Sequence, residues 1–166
     1  MSNPIRQQIV DAVKVRLQGI LKSAGYLTDV GNNVYLCRSV PLTDEELDAG
    51  PQLNIWDIDK TTTAVAAKVH EHTLTVHVFL AAVGTGMDTL IRQIEADISK
   101  ALNQPTNGLD GRLWATDAAP GGLAFYTMNT KSGYEIDGAT KRRTGLYYFE
   151  FIIKYRTKAF DEMSLP

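Results

Sequence analysis

The residues best suited to chemistry are three histidines, His70, His72 and His77, all within the stretch HEHTLTVHVFL. Imidazoles at this density could ligate a transition metal or relay protons, so the first reading to weigh is a small metal-dependent enzyme using His70 and His72. Side chains alternate along a strand, which puts His70 and His72 on one face and His77 on the other, ~17 Å beyond His72 at ~3.4 Å per residue. One strand cannot bring all three to one ion. HEH also lacks the helical His-Glu-x-x-His spacing of zinc proteases, and no other segment nominates a third ligand. The expectation is imidazoles on a half-exposed strand face and no metal.

Other candidates are equally bare. Cys37, the only cysteine, sits in VYLCR and reads as a small buried hydrophobe on a strand. Asp57 and Asp59 share a strand face by alternation and could do acid–base work, but no third group is implied. TDEELD at 43–48 lacks the alternating ligands and central glycine of a calcium loop. GTG at 84–86 opens a helix without the lysine of a phosphate loop, and Asp88 would repel an anion there. KRR, Lys141 to Arg143, reads as a basic turn. No nucleophile motif and no cofactor motif appears, so the expectation is a building block that uses no cofactor and is not an enzyme.

The elements that would carry these residues follow from periodicity. Ile5, Ile9, Val13, Leu17, Ile20 and Ala24 recur at spacings of three and four, predicting a helix over 4–24 with Pro4 in its first turn. NNVYLCRSVP predicts a short strand near 33–39. Thr43 and Glu46 have capping-box spacing, with room for about one helical turn before Gly50-Pro51. PQLNIWDID predicts a strand over 52–58, Asp59–Thr63 a hairpin turn, and the segment to about 81 the returning strand. Ile91, Ile94, Ile98 and Leu102 make the stripe of a second helix over 87–102. RLWATD, LAFYTMNT and GYEIDG read as strands, and TGLYYFEFIIKYRT is the clearest strand of all. In it Tyr147, Phe149, Phe151, Ile153 and Tyr155 share the core face. The order is that of an α+β two-layer sandwich, a mostly antiparallel sheet with two helices on one face and a projecting β-hairpin. One domain spans 1–157, and 158–166 is a short tail, loose or docked on a neighbour.

Around the histidines the apolar residues change phase. Val65, Ala67 and Val69 are odd-numbered, whereas Leu74, Val76, Val78 and Leu80 are even. A regular strand cannot do this without a bulge or a change of buried face. HEHT therefore reads as the boundary between the domain core and an arm that buries its own apolar face on a neighbouring subunit.

The chain has 166 residues, with 17 basic and 19 acidic side chains for a net charge of -2, so the strong basic excess of a nucleic-acid coat is missing. No apolar run approaches the ~20 residues of a membrane span. A lone cysteine and an N-terminus without a signal-like apolar core point to assembly in a reducing compartment.

The succession IRQQIVDAVKVRLQGIL, VYLCRSVPL, PQLNIWDID, HTLTVHVFLAA, GMDTLIRQIEADISKAL and FEFIIKYRT resembles the tail terminator proteins of long-tailed bacteriophages, the family of minor tail protein U. The resemblance covers most of residues 5–157 and rests on element order. It implies a homo-oligomeric ring, a hexamer, that caps the tail tube, stops its polymerisation and offers a head–tail joining surface to the head-side connector or neck proteins. It also implies contact with the tube protein and, in contractile tails, the sheath. DNA only passes through the lumen, no membrane is involved, and the protein is assembled in the host cytoplasm and resides in the virion. The closest rival is another neck or tail-completion protein of the same particle. Under this reading the expected subunit or tube contacts are Ile58, Asp59, Lys60, Val65 and Val69 of the arm and Lys141, Arg142 and Arg143 of the basic turn. The three cations are placed at a protein contact, because a basic lumen would hinder DNA passage.

Overall fold

A computed structural model describes residues 3–84, 86–103, 122–137 and 144–166. The elements run α1 (Ile5–Gln18), β1 (Val34–Leu36), α2 (Asp44–Asp48), β2 (Gln52–Ala66), β3 (Val69–Val83), α3 (Met87–Asn103), β4 (Tyr126–Asp137) and β5 (Thr144–Lys158). Among the described residues the strands form one five-stranded sheet in the order β1-β2-β3-β5-β4. β1 is parallel to β2, and every other pairing is antiparallel. This is the α+β architecture expected.

Register decides which side chains meet. Val76 lies opposite Phe151, Val78 opposite Phe149 and Leu74 opposite Ile153, so even residues of β3 share a face with odd residues of β5. Leu53 and Ile55 of β2 join them, and all eight are fully buried. The layer above is α1, through Ile5, Ile9, Val13 and Leu17, and α3, through Ile91, Ile94, Ile98 and Leu102. Each such side chain contributes about 1.5–3 kcal/mol by leaving water. α2 lies across from them, where Gln52, on the opposite face from Leu53, donates from Nε2 to the carbonyls of Glu46 and Gly50. The capping box of Thr43 and Glu46 is formed.

Three expectations are corrected. The first helix stops at Gln18 rather than 24. The backbone of Gly31 closes against the chain just past it, donating to the Ile20 carbonyl at 3.0 Å. A Cβ on Gly31 would stand 2.5 Å from the Gln18 carbonyl oxygen, so this backbone approach requires glycine. The hairpin turn is not Asp59–Thr63, which is strand, but residues 67–68. And β3 is continuous: its pairing with β5 runs unbroken from Val69↔Lys158 to Val83↔Thr144, with every even residue from His72 to Leu80 buried. The apparent change of apolar phase arose because Val65 and Ala67 lie before and in the turn, not on β3. The bulges are on β2, between Asp57 and Asp59 and between Ala64 and Ala66.

LAFYTMNT and GYEIDG merge into one strand, β4, which pairs along β5 with a single register shift between Asn129 and Lys131. RLWATD falls outside the described residues. No helix among the described residues is long and apolar enough to cross a membrane.

Candidate interaction surface

The arm is the half of the β2–β3 hairpin beyond Asp57. β1 pairs only with Leu53 to Ile55, so among the described residues the outer edge of β2 from Trp56 onward has no strand beside it. Such an edge is a template for another chain unless something blunts it, and bulges are one natural way of doing so. Both bulges of β2 carry an exposed aliphatic residue: Ile58 in one and Val65 in the other. Extra residues in an otherwise alternating strand leave these side chains out of the cross-strand pairs. Thus two of the residues expected to make contacts are about half exposed.

The bulge at Ile58 also separates the two aspartates. Asp57 lies opposite Val76 on the helix-bearing face, and Asp59 lies opposite Thr75 on the other face. The expected carboxylate pair is therefore not formed. Arg6 of α1 grips Asp57 through Nε at 2.8 Å and Nη2 at 2.7 Å, tying the helix start to the strand. Lys60, on the helix-bearing face, pairs with Glu162 of the C-terminal tail. Val69 is half-buried at the start of β3. Lys141, Arg142 and Arg143 lie outside the described residues.

The tail is not loose: it docks on its own chain. Ile5 N–H donates to the Glu162 carbonyl at 3.0 Å, Lys158 N–H to the Ser164 carbonyl at 3.1 Å, and Ala159 N–H to the Lys68 carbonyl at 2.9 Å. Leu165 packs against the core. The tail closes the helix-bearing face of the sheet beside the start of α1.

The histidines take separate roles. His72 is 1% exposed and stacks on Tyr155 with ring centroids 4.7 Å apart. Its Nδ1 lies 2.9 Å from Thr62 Oγ1 and its Nε2 2.8 Å from Thr157 Oγ1, so neither nitrogen is open to a metal. Burial, then the Lys60 charge, push its pKa below the usual histidine value. His70 stands edge-on to Phe160 of the tail at 5.3 Å. His77 is on the opposite face, 3.1 Å from Glu150 Oε2. The Thr130 hydroxyl, donating to Glu150, and then His77 hold that carboxyl below its ordinary pKa. Among the described residues no three His, Cys, Asp or Glu side chains are grouped to hold a metal.

Cys37 is exposed rather than buried, because the chain leaves β1 there with φ 51°. Its partial burial and the nearby Asp57 carboxylate raise the thiol pKa, the reverse of an activated nucleophile.

In comparisons with known proteins, no family model and no curated protein matches the chain.

Two features that sequence reasoning missed complete the surface. Phe160 is 96% exposed and held at φ 63°, a conformation unusual for a side chain of its size. On the face of the sheet away from α1 and α3, a cavity of about 270 Å³ opens between the segment leading into α2 and the strands, lined by Tyr35, Val40, Leu42, Phe79 and Leu146. An isolated phenylalanine in the polar KAFDE was the available signal for the first. The second draws on four separated segments and left no local sign.

Proposed function

We propose that this chain is a structural virion protein of the tail-terminator kind: a homo-oligomeric ring, of six copies, that caps the tail tube, stops its growth and offers a joining surface to the head-side connector. Its action is binding alone. The observation that carries the reading is the arm. Beyond Asp57 no residue of β2 is buried, and its outer edge and the aliphatic bulges at Ile58 and Val65 stand outside the core. A small domain whose fifteen-residue edge strand buries no residue along its outer half supports assembly better than catalysis. Lys141 to Arg143 serve, in this reading, at the joint between ring and tube.

Removing the protein from the virus that encodes it is the direct test. Tail tubes that overgrow their normal length support the reading. Tails of normal length that fail to join heads would identify a neck protein instead. Reversing the charge of Lys141, Arg142 and Arg143 is expected to impair ring or tube joining, and normal tail assembly by that variant would reject their role.

A further inference from the structure

We propose that residues 161–165 are exchanged between copies of this chain: in the assembled protein, the site they fill on their own domain is filled by the same residues of an adjacent copy. Two observations carry this. First, the site's occupant is known. Glu162 enters it through its carbonyl, which accepts from Ile5 N–H at 3.0 Å, and through its carboxylate, paired with Lys60. The Ser164 carbonyl accepts from Lys158 N–H at 3.1 Å, and Leu165 packs against the core. A site that fits this segment from its own chain fits the identical segment from another, so exchange requires no new surface to be matched.

Second, a strained turn holds the segment on its own chain. Lys158 and Asp161 are bridged antiparallel, and Asp161 N–H donates to the Lys158 carbonyl at 3.1 Å, so Ala159 and Phe160 are the central residues of a tight turn. Phe160 has φ 63° there. A positive φ at the second central position of a turn normally calls for glycine or asparagine, because a Cβ crowds the backbone in the left-handed region. Packing does little to offset the strain: Phe160 is 96% exposed and meets only the edge of His70, with ring centroids 5.3 Å apart. A short hinge under strain invites exchange. Opening the turn relieves the strain, and the contacts of Glu162, Ser164 and Leu165 are remade on the neighbour.

The opened hinge also sets where that neighbour lies. With Phe160 extended, the chain runs on from β5, and Glu162 stands roughly 13 Å beyond Lys158 at ~3.3 Å per residue. The start of α1 and Lys60 of the adjacent copy must come within that reach. Exchange passed in one direction from copy to copy gives a ring or a filament, and reciprocal exchange gives a dimer. The proposal rests on the ring reading above only for the choice among these.

The test uses two variants of the whole protein that act on the hinge in opposite senses. Phe160→Gly removes the strain of the closed turn and is expected to weaken association roughly tenfold. Phe160→Pro fixes φ at about −65°, which the closed turn cannot adopt, and is expected to strengthen association roughly tenfold or more. Sedimentation over a concentration series reads both, and circular dichroism checks that each variant keeps the fold. A phenylalanine that served as an interface anchor in its own right would instead be weakened by both changes. Independently, ordinary and isotopically heavy wild type are mixed while dilute, concentrated, and treated with a water-soluble carbodiimide. This joins the Lys60 amine to the Glu162 carboxylate as an amide. Links between light and heavy peptides are expected in the oligomer, and same-isotope links alone in the dilute monomer. Wild type that stays monomeric throughout its soluble range would overturn the exchange. So would weaker association in both variants, or an oligomer whose links are all same-isotope. The last outcome would leave a ring standing on other contacts, and the length of the tail tube tests that ring separately.

Discussion

His72 illustrates how a residue type misleads until its surroundings are known. As one of three clustered histidines it suggested a metal, but the fold uses it as a buried hydrogen-bonding strut between Thr62 and Thr157. Protonation is opposed by burial and by Lys60, while Glu162 favours it and His70 opposes it weakly. The unfolded histidine titrates near 6.5 and the folded one lower. Between those values the unfolded chain binds more protons, so stability is full above the unfolded pKa and falls as pH drops through it. Urea unfolding from about pH 8 down to about pH 5 is expected to show that decline, with a shallower slope in His72→Gln. Its neighbour Tyr155 is the opposite case. The hydroxyl is buried without a partner among the described residues, and burial pushes its pKa up to about 12. Tyr155→Phe keeps the ring that stacks on His72 and discards an unsatisfied group. It is expected to leave stability unchanged or raise it by about 1 kcal/mol in the same unfolding experiment.

At the scale of elements, a single carboxylate joins what the sequence separates. Asp97 of α3 is 2% exposed and accepts from Leu27 N–H at 3.0 Å, Thr28 N–H at 2.8 Å and the Thr28 hydroxyl at 2.7 Å. It anchors the connection from α1 to β1 on α3. Asp97→Ala would strand those donors, and a loss of roughly 3 kcal/mol is expected in chemical denaturation, with Asp97→Asn recovering part of it. The helices and the closing strand were legible because their periodicity is long and unbroken, as in Ile91, Ile94 and Ile98 and in the odd residues of β5. The hairpin was legible only as a hairpin. Its turn at 67–68 lacks the Asn-Gly or Asp-Gly signal of a two-residue turn, whereas Asp59–Thr63 offered polar residues that resemble one. The bulges that keep β2 in register while moving Ile58 and Val65 out of it have no sequence signature here.

For the whole molecule, the tail ties the start of α1, the hairpin turn and the end of β5 to one another. Deleting residues 159–166 removes the hydrogen bonds to Ile5, Lys68 and Lys158, together with the Lys60–Glu162 pair. At about 0.5–1.5 kcal/mol per backbone bond, the deletion is expected to cost about 2–4 kcal/mol in denaturant midpoint measurements.

What the sequence determined by itself was the class of fold, the order of its elements and the buried face of each long one, because apolar periodicity is a local property that survives without knowing the neighbours. It also separated His77 from His70 and His72, by alternation alone. Tertiary structure decided the rest: that Cys37 is exposed, that Asp57 and Asp59 face apart, that His72 is sealed and that the tail folds back. It also decided that a cavity forms from Tyr35, Val40, Leu42, Phe79 and Leu146. Each of these depends on which strand a residue meets across the sheet, and that is set by bulges, a turn and a register that arise only when distant segments pair.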